Sequence, residues 1–140
     1  MKKVLIDINV IMDVAVKRED FRSSQKVINY CIKKMIEGYV CSHEITTLSY
    51  LLQRKYNRKQ ASQFIENILD MFLVLPATGK ILKRAFNSQI NDYEDAVIEV
   101  TGLKNDIDYI VTRNINDFHE SRIVSLSPEE FLTRLKFKKK

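Results

Sequence analysis

Residues 4–10 read Val4-Leu5-Ile6-Asp7-Ile8-Asn9-Val10. The continuous apolar run, which contains β-branched residues, predicts a short buried strand at residues 3–6. Asp7 ends the run, and a helix is expected over residues 9–16. A buried strand that leads through an acid towards a helix is typical of parallel α/β folds, which build their sites at the carboxyl ends of strands.

The same pattern continues along the chain. Further short apolar strands are predicted at residues 39–41, 72–75, 108–112 and 122–125, with helices between them. Apolar strands linked by helices favour a parallel sheet that is covered on both faces. We therefore expect a three-layer α/β/α sandwich with a central, mostly parallel five-stranded sheet.

Local signals predict where several helices begin and end. Gly38 is expected to end a helix over residues 24–37. Asn91 is expected to begin the helix near residue 93, together with Glu94 as its box acid. The core stripe of that helix is expected to comprise Tyr93, Ala96, Val97, Val100 and Leu103. Capping boxes are also predicted at two other helix starts, Asn57 with Gln60 and Ser127 with Glu130.

Composition indicates one globular domain with a basic end. The chain has 140 residues, of which 45% are apolar and 29% are charged, which allows a real hydrophobic core. We expect the domain to span residues 1–135 and a basic tail to span 136–140. The formal charge of +5 is due mostly to the four lysines of that tail. The tail could bind nucleic-acid phosphates, or it could be a solvated end that keeps the protein soluble.

Several classes of protein are excluded. Cys31 and Cys41 fit neither a disulfide framework nor a zinc site, and both are expected to be small buried hydrophobic residues. Asp7 interrupts the first apolar run, so no signal peptide is predicted, and no stretch approaches the roughly 20 apolar residues of a membrane span. The sequence contains no Gly-rich phosphate loop. We expect the protein to be cytoplasmic and not to bind a membrane.

The acids carry the chemical information, because they fall at strand exits or helix starts. The residues concerned are Asp7, Asp92, Asp95, Asn114 and Asp117. Side chains at the carboxyl ends of parallel strands share one edge of the sheet. Carboxylates that converge there repel one another unless a cation holds them, and oxygen-rich clusters suit Mg²⁺ or Mn²⁺. The pattern therefore indicates metal-assisted phosphoester chemistry.

Each of these residues also has a structural explanation when it is taken alone. Asp7 could cap a helix, and acids such as Asp92 and Glu94 in a first turn favour the helix dipole. Thr112 and Asn114 could simply make a turn. Asp95 is less well explained in this way, and Asp92, Asp95 and Glu99 are expected to share one helix face. The two histidines, His43 and His119, are expected to have surface or capping roles.

Three segments, taken in order, resemble the PIN domain family. They are the opening segment Val4–Val10, the acidic segment Asp92-Tyr93-Glu94-Asp95-Ala96, and the late segment from Asp108 to Phe118. The ending Leu126-Ser127-Pro128-Glu129-Glu130-Phe131-Leu132 is similar to that of one bacterial branch of the family. The resemblance covers residues 2–134.

The resemblance implies a fold, an activity and partners. It implies a five-stranded α/β/α sandwich that cleaves RNA with Mg²⁺ or Mn²⁺, and many bacterial members are VapC-type toxins that are held by a small antitoxin or form homodimers. Asp7 matches the first catalytic acid, Asp95 the third, and Asn114 the variable fourth position. Asp92 and Asp117 match accessory acids. The metal ligands implied are Asp7, Asp95 and Asp92, while Arg113 or Lys104 could contact substrate phosphates.

One acid of the family pattern has no obvious counterpart. The family usually carries a second acid, often Glu, well inside the third helix, where this chain reads Ile45-Thr46-Thr47-Leu48-Ser49-Tyr50. Ser49 aligns closest to that position, and Glu44 is the only carboxylate nearby. Either Glu44 substitutes, or hydroxyl groups reach the metal through water, or the site is weakened. We expect Glu44 to approach the pocket less closely than Asp7.

Three other interpretations were weighed. Haloacid-dehalogenase-like phosphatases also begin with an Asp after the first strand, but they want a second Asp two residues later, where this chain has Asn9. A signalling receiver domain needs an acceptor Asp at the end of its third strand, where Leu75-Pro76 stands, and is rejected. A PIN-fold scaffold that binds RNA or a protein partner without cutting stays open, because the acid in the third helix is missing.

Overall fold

A computed structural model of the chain describes residues 1–135. Within them, five strands form one sheet: β1 (Lys3–Ile6), β2 (Glu37–Cys41), β3 (Leu73–Leu75), β4 (Tyr109–Val111) and β5 (Val124–Leu126). The strand order is β3-β2-β1-β4-β5, and every neighbouring pair is parallel. The predicted parallel sheet is confirmed. The predicted basic tail at 136–140 lies outside the described residues.

Helices cover both faces of the sheet, which confirms the three-layer sandwich. Those of the described residues are α1 (Ile8–Ala15), α2 (Phe21–Ile32), α3 (Ser42–Lys55), α4 (Arg58–Met71), α5 (Gly79–Arg84), α6 (Tyr93–Lys104) and α7 (Pro128–Arg134), with 3-10 helices at Ala85–Asn87 and Ile115–Phe118. The core between the sheet and α1–α4 with α7 is separate from the core between the sheet and α5–α6. In residues 1–135 no helix is long and apolar enough to cross a membrane.

The topology places the exits of β1 and β4 side by side. The chain runs outwards from β1 through β2 to β3 and then returns to the other side of β1 as β4. A crevice forms where the direction of winding reverses, outside the carboxyl ends of the two strands. The Asp7 amide donates to the Val111 carbonyl at 3.0 Å, so the two strand ends are tied together.

Local capping signals were predicted correctly where they depend on adjacent residues. Asn57 and Gln60 form a reciprocal capping box at the start of α4. Ser127 and Glu130 do the same for α7, with Pro128 at the first helical position. Each box satisfies backbone N–H groups that a helix start leaves without partners.

The predicted end of α2 was wrong. The helix ends at Ile32, and Lys34 adopts a left-handed conformation with φ of 58°, which turns the chain into β2. Gly38 lies inside β2 and does not stop a helix. A Cβ atom at Gly38 would lie 2.6 Å from the Cys31 Sγ atom, so glycine is required there for the close packing of β2 against α2.

The start and the core stripe of α6 were also predicted incorrectly. Asp92 is the N-cap, in place of Asn91, and Tyr93 and Leu103 are exposed. Residues 96–102 are all buried, including the polar ones. An amphipathic stripe does not describe this helix, because α5 and the 3-10 helix that follows it pack on the side away from the sheet.

Candidate active site

Asp7 lies at the centre of the crevice, fully buried at the exit of β1. It occupies the N-cap position of α1, yet within the described chain its side chain makes no capping hydrogen bond to that helix. The Thr112 hydroxyl instead donates to Asp7 Oδ2 at 2.7 Å, and the Asn114 amide donates to Thr112 Oγ1 at 3.0 Å. Burial raises the pKa of Asp7, although the Thr112 bond opposes that effect. Weaker hydrogen bonding to Asn9 in the first turn of α1 also lowers the pKa, so capping explains only part of the environment of this carboxylate.

Glu44 is the second buried acid of the crevice. It lies in the first turn of α3, directly after β2, and its carboxyl shares a hydrogen bond with that of Asp7. Burial, followed by the charge of Asp7, raises the pKa of Glu44 well above its usual value, and the hydrogen bond to Asp7 acts in the same direction. We expected Glu44 to approach the pocket less closely than Asp7, but the two side chains are equally buried and contact each other.

Ser49, the residue that aligned with the missing acid, contacts another group. Its Oγ atom accepts a hydrogen bond from Gln53 Nε2 at 3.1 Å, one turn along α3. The sheet topology, unlike the family pattern, indicates that Glu44 lies near Asp7. Because β1 and β2 are parallel neighbours, the residues that follow them lie at one edge of the sheet, and Glu44 follows β2 as Asp7 follows β1.

Asp95 joins the acids of the strand exits to those of α6. Burial raises the pKa of Asp95 to about 7, and the charges of Asp7, Asp92, Asp117 and Glu94 add to the increase. These causes show that the acids selected from the sequence lie close enough to Asp95 to repel its charge. Four carboxylates around a fifth form a region of strongly negative potential.

Asp92 both caps α6 and faces this cluster. Its Oδ1 atom accepts a hydrogen bond from the Asp95 amide at 3.1 Å. Such a bond satisfies one of the free donors of a first turn, so the capping explanation holds for Asp92. The same bond fixes the acid beside Asp95.

Asn114 and Asp117 lie at the rim, after β4. Asn114 is the N-cap of the 3-10 helix Ile115–Phe118, and Asp117 lies within that helix. Both side chains are exposed. The Asn114 amide donates to Thr112 Oγ1, and the Asp117 amide donates to the Asn114 carbonyl. Thr112, for which the sequence indicated only a turn, therefore connects this rim to Asp7.

His43 connects the first turns of α3 and α6. Its Nε2 atom lies 3.2 Å from the Glu94 carbonyl oxygen, which can only accept, so Nε2 carries the proton. Thr47 Oγ1 donates to Glu94 Oε2 at 3.4 Å beside it. Burial lowers the pKa of His43, and among the described residues its buried Nδ1 atom has no hydrogen-bond partner. His43 is therefore a half-buried residue of the crevice, whereas His119 is exposed as predicted.

The cluster lacks a positively charged partner within residues 1–135. No salt bridge there involves Asp7, Glu44 or Asp95. Arg113, which we had considered for phosphate binding, pairs with Asp13 at 3.1 Å and with Glu129 at 3.0 Å. Its guanidinium is therefore already bound to two carboxylates.

The donor set fits a hard divalent cation, although the side chains are not yet arranged around one. As they stand in the described chain, no three acids, histidines or cysteines form a group that could hold a metal ion. The Glu44 and Asp7 carboxyl groups lie within hydrogen-bond reach of each other, and the charge of Asp7 raises the electrostatic cost of a charge on Glu44. Carboxylate oxygens suit Mg²⁺ and Mn²⁺, and a bound cation would relieve that repulsion.

Two other buried acids, Asp13 and Glu99, are paired with arginines and support the fold. Glu99 accepts hydrogen bonds from Ser88 Oγ at 2.7 Å and from the Arg122 amide at 2.7 Å, and it pairs with the Arg122 guanidinium at 3.1 Å. Burial alone would raise the pKa of Glu99, but the Arg122 and Ser88 bonds lower it. Glu99 was expected to share a helix face with Asp92 and Asp95, but unlike Asp95 it is paired with a cation, Arg122.

Comparison with known proteins agrees with this geometry. The family model described as PIN domain matches residues 3–116. A search of curated proteins found no match.

Solved structures with the same fold include parts of three complexes. The chain aligns with VapBC2 from Rickettsia felis bound to a promoter DNA fragment at a TM-score of 0.69 and 15% identity, over 89% of this chain and 96% of that chain. It aligns with FitAcB from Neisseria gonorrhoeae at a TM-score of 0.68 and 18% identity, over 90% of this chain and 98% of that chain. It aligns with a toxin–antitoxin complex from Klebsiella pneumoniae at a TM-score of 0.67 and 18% identity, over 89% of this chain and 97% of that chain.

Proposed function

The chain belongs to the PIN domain family, and from this premise we propose that it is a divalent-metal-dependent endoribonuclease, the toxin of a toxin–antitoxin pair. Its substrate would be RNA, and its cofactor would be Mg²⁺ or Mn²⁺. The observation that carries the proposal is the group of buried acids that lack a cation. Asp7 and Glu44 lie against each other with raised pKa values, and the pKa of the half-buried Asp95 is raised to about 7.

The need for a metal follows from charge. An RNA phosphodiester is negative and gains negative charge under attack, so the carboxylates of the crevice would repel it. A bound divalent cation supplies neutralisation of that charge and lowers the pKa of a bound water. We propose that Asp7, Glu44, Asp95 and Asp92 hold the metal.

The remaining residues of the site would position those ligands. Thr112 holds Asp7 Oδ2 in place through its hydroxyl group, and the first turn of α6 holds Asp92 and Asp95 in a fixed relation. Asn114 and Asp117, exposed at the rim, would bind the water molecules of the metal. All these groups lie on strand ends and helix starts of a rigid sheet, which is where precise sites are built.

The decisive test is RNA cleavage together with thermal melting, each with and without Mn²⁺. We expect cleavage that a chelator suppresses, and a melting temperature that Mn²⁺ raises, because an ion that binds only the folded state stabilises it. Asp95→Asn should remove both effects. Asp13→Asn is the control, since Asp13 is also an acid with a buried side chain but is paired with Arg113, and it should retain the response to Mn²⁺.

The same assays can identify which residue of α3 replaces the second acid of the family pattern. Glu44→Gln should weaken Mn²⁺ binding and lower the cleavage rate by at least about tenfold, or 1.4 kcal/mol in the barrier. Ser49→Ala should change neither. The opposite result would mean that the Ser49 hydroxyl, and not the Glu44 carboxylate, serves the metal.

The toxin assignment has its own test. It is supported by the shared fold with a chain of the toxin–antitoxin complex from Klebsiella pneumoniae. We expect that expression of the chain arrests bacterial growth, that Asp7→Asn abolishes the arrest, and that a small protein encoded beside its gene reverses it. Metal-dependent cleavage without growth arrest would leave the nuclease assignment standing and remove the toxin assignment.

A second candidate is a scaffold that binds RNA or a protein partner without cutting. It is favoured by the finding that no three potential ligands of the described chain are gathered around one point. If the unmutated chain shows neither metal-dependent cleavage nor a Mn²⁺-induced rise in melting temperature, the scaffold replaces the nuclease.

A further inference from the structure

A pair of exposed aromatic rings lies beside the acid cluster. Phe86, in the 3-10 helix Ala85–Asn87, is 73% exposed. Its ring stacks on that of Tyr93, with the centroids 4.7 Å apart and the planes inclined by 24°. Tyr93 is the first residue of α6 and stands between Asp92 and Glu94 in the chain. One ring of the pair therefore belongs to the turn that carries the acids, and the other offers an open face to solvent.

The pair is held rigidly. The Tyr93 hydroxyl donates to the Leu82 carbonyl at 2.6 Å, which fixes the ring against α5. Tyr93 is itself 42% exposed, so neither ring is in the hydrophobic core. An exposed aromatic surface that is already ordered can bind a planar ligand at little entropic cost.

Basic side chains surround the rings. Lys80 and Lys83 line the same shallow groove as Phe86 and Tyr93. Lys80 also borders a second groove of about 440 Å³ between α5 and the carboxyl-terminal half of α6. Among the described residues that line this second groove, Lys80, Arg84 and Lys104 are basic and form no salt bridge within the described chain, whereas Arg122 is paired with Glu99. Lys104, considered from the sequence as a phosphate contact, thus lies in a positively charged groove.

The two grooves lie one after the other along α6, from its first turn near the acid cluster towards its carboxyl end. Tyr93 begins α6 and Lys104 ends it, so they are about 16 Å apart along the helix axis at 1.5 Å per residue. That distance accommodates a few nucleotides of a single strand. A surface with stacking rings at one end and basic side chains along it is the arrangement that binds single-stranded nucleic acid.

We propose that the face formed by α5, the 3-10 helix Ala85–Asn87 and α6 binds the single-stranded RNA substrate, with one base stacked on Phe86 and the phosphates directed along the basic groove. The proposal rests on the proposed function, because it supplies the substrate of that site. Self-association through this face is disfavoured, since it would bring the same basic side chains against one another.

The experiment measures RNA affinity in a protein that cannot cut. In an Asp95→Asn background with Mn²⁺ present, the Kd for a labelled single-stranded RNA is measured by fluorescence anisotropy. Phe86→Ala should raise the Kd by about 5- to 100-fold, the loss of one stacked base. Phe86→Leu, which keeps the apolar bulk without the ring, should also raise it, whereas Phe86→Tyr should not. Tyr50→Ala is the matched control, because Tyr50 is 61% exposed beside Arg54 on α3 and should leave the Kd unchanged.

Salt and strandedness test the rest of the surface. Lys104→Ala and Arg84→Ala should each reduce the slope of log Kd against log salt by about 0.7, the value for one phosphate contact on a single strand. A duplex of the same sequence should bind more weakly than the single strand, because its bases are already stacked.

The outcomes separate this surface from the nuclease. If the unmutated protein cleaves RNA and Phe86→Ala binds it as tightly as the Asp95→Asn parent, the stacking surface is wrong and the nuclease stands. If Phe86 is required for binding but no metal-dependent cleavage occurs, the surface stands and the nuclease fails. A change from dimer to monomer in Phe86→Ala, measured by analytical ultracentrifugation with RNA affinity intact, would assign the face to a second copy of the chain and overturn the proposal.

Discussion

Two sets of buried carboxylates show opposite electrostatics in the same small fold. Asp7 and Glu44 are each 2% exposed, and Asp13 and Glu99 are 2% and 0% exposed. The last two are paired with arginines and hydroxyl groups, and the pKa of Glu99 is lowered. Asp7 and Glu44 accept or share hydrogen bonds but pair with no cation within the described residues, and their pKa values are raised.

We interpret the difference as one between acids that support the fold and acids that are candidates for the active site. Burial alone does not do so, because all four side chains are equally inaccessible. A buried charge that its own chain neutralises supports the fold, whereas one that is left without a cation reduces stability and is retained for another purpose. The following predictions test this distinction, from the largest expected effect to the smallest.

Removal of a paired acid should weaken the fold most. Glu99→Ala should lower the free energy of unfolding by about 3 kcal/mol, because it leaves the Ser88 hydroxyl and the Arg122 amide without their partner. Urea denaturation measures the loss. Glu120→Ala, at an exposed acid, is the control and should change stability by less than about 0.5 kcal/mol. A loss in Glu99→Ala no larger than in this control would contradict the structural role.

Removal of an unpaired acid should act on the reaction and not on the fold. Asp7→Asn should reduce RNA cleavage by at least about tenfold, or 1.4 kcal/mol in the barrier. Its unfolding free energy without metal should stay the same or rise, since a repulsive charge is lost. Single-turnover cleavage and urea denaturation in a chelator measure the two effects. If Asp7→Asn is as unstable as Glu99→Ala, the two sets of acids are not different in kind.

The stability of the metal-free protein should fall as the pH rises from about 4 to about 7. The pKa of Asp95 is raised from 3.8 to about 7, so the folded state binds more protons than the unfolded state in that interval. The raised pKa values of Asp7 and Glu44 act in the same direction. The lowered pKa values of His43 and Glu99 act in the opposite direction, below their usual values of 6.5 and 4.5. Melting temperatures between pH 5 and 8 in a chelator measure the slope. Asp95→Asn should flatten it, and an unchanged slope in that variant would show that another group is responsible.

The smallest effect is expected at the exposed partner of Arg113. Glu129 pairs with Arg113 at 3.0 Å, but its side chain is 49% exposed. Glu129→Gln should lower the free energy of unfolding by about 0.5 kcal/mol or less. Asp13→Asn removes the buried partner of the same guanidinium and should cost more. Equal losses in urea denaturation would mean that burial does not determine the strength of these pairs.

The features that could be predicted from the sequence depend either on residues close together in the chain or on the repeated strand–helix pattern of a parallel sheet. The box of Asn57 and Gln60 is formed by residues three apart, so the pattern alone indicates it. The strands β1 and β4 are buried on both faces and read as apolar runs. Asp7 and Asp95 could be selected because strand exits converge in any parallel sheet.

The remaining features depend on contacts between distant segments. Glu99 appeared to belong with the acids of α6 because Arg122, which neutralises it, is 23 residues away. Glu44 was undervalued because the search for a second acid was directed to the middle of α3 and not to its first turn. Gly38 was read as a helix stop because the pattern does not show that Cys31 packs against its Cα atom.

The hydrogen bond between Thr112 and Asp7 joins residues 105 positions apart, and this separation has a consequence during synthesis. Translation proceeds at about 5–20 residues per second, so Asp7 and Glu44 leave the ribosome seconds before Thr112 is made. Until β4 pairs with β1, the Asp7 carboxylate has no fixed orientation and the rim after β4 does not exist. A nascent or truncated chain that ends before β4 therefore lacks the contact that orients Asp7, and we predict that it does not cleave RNA.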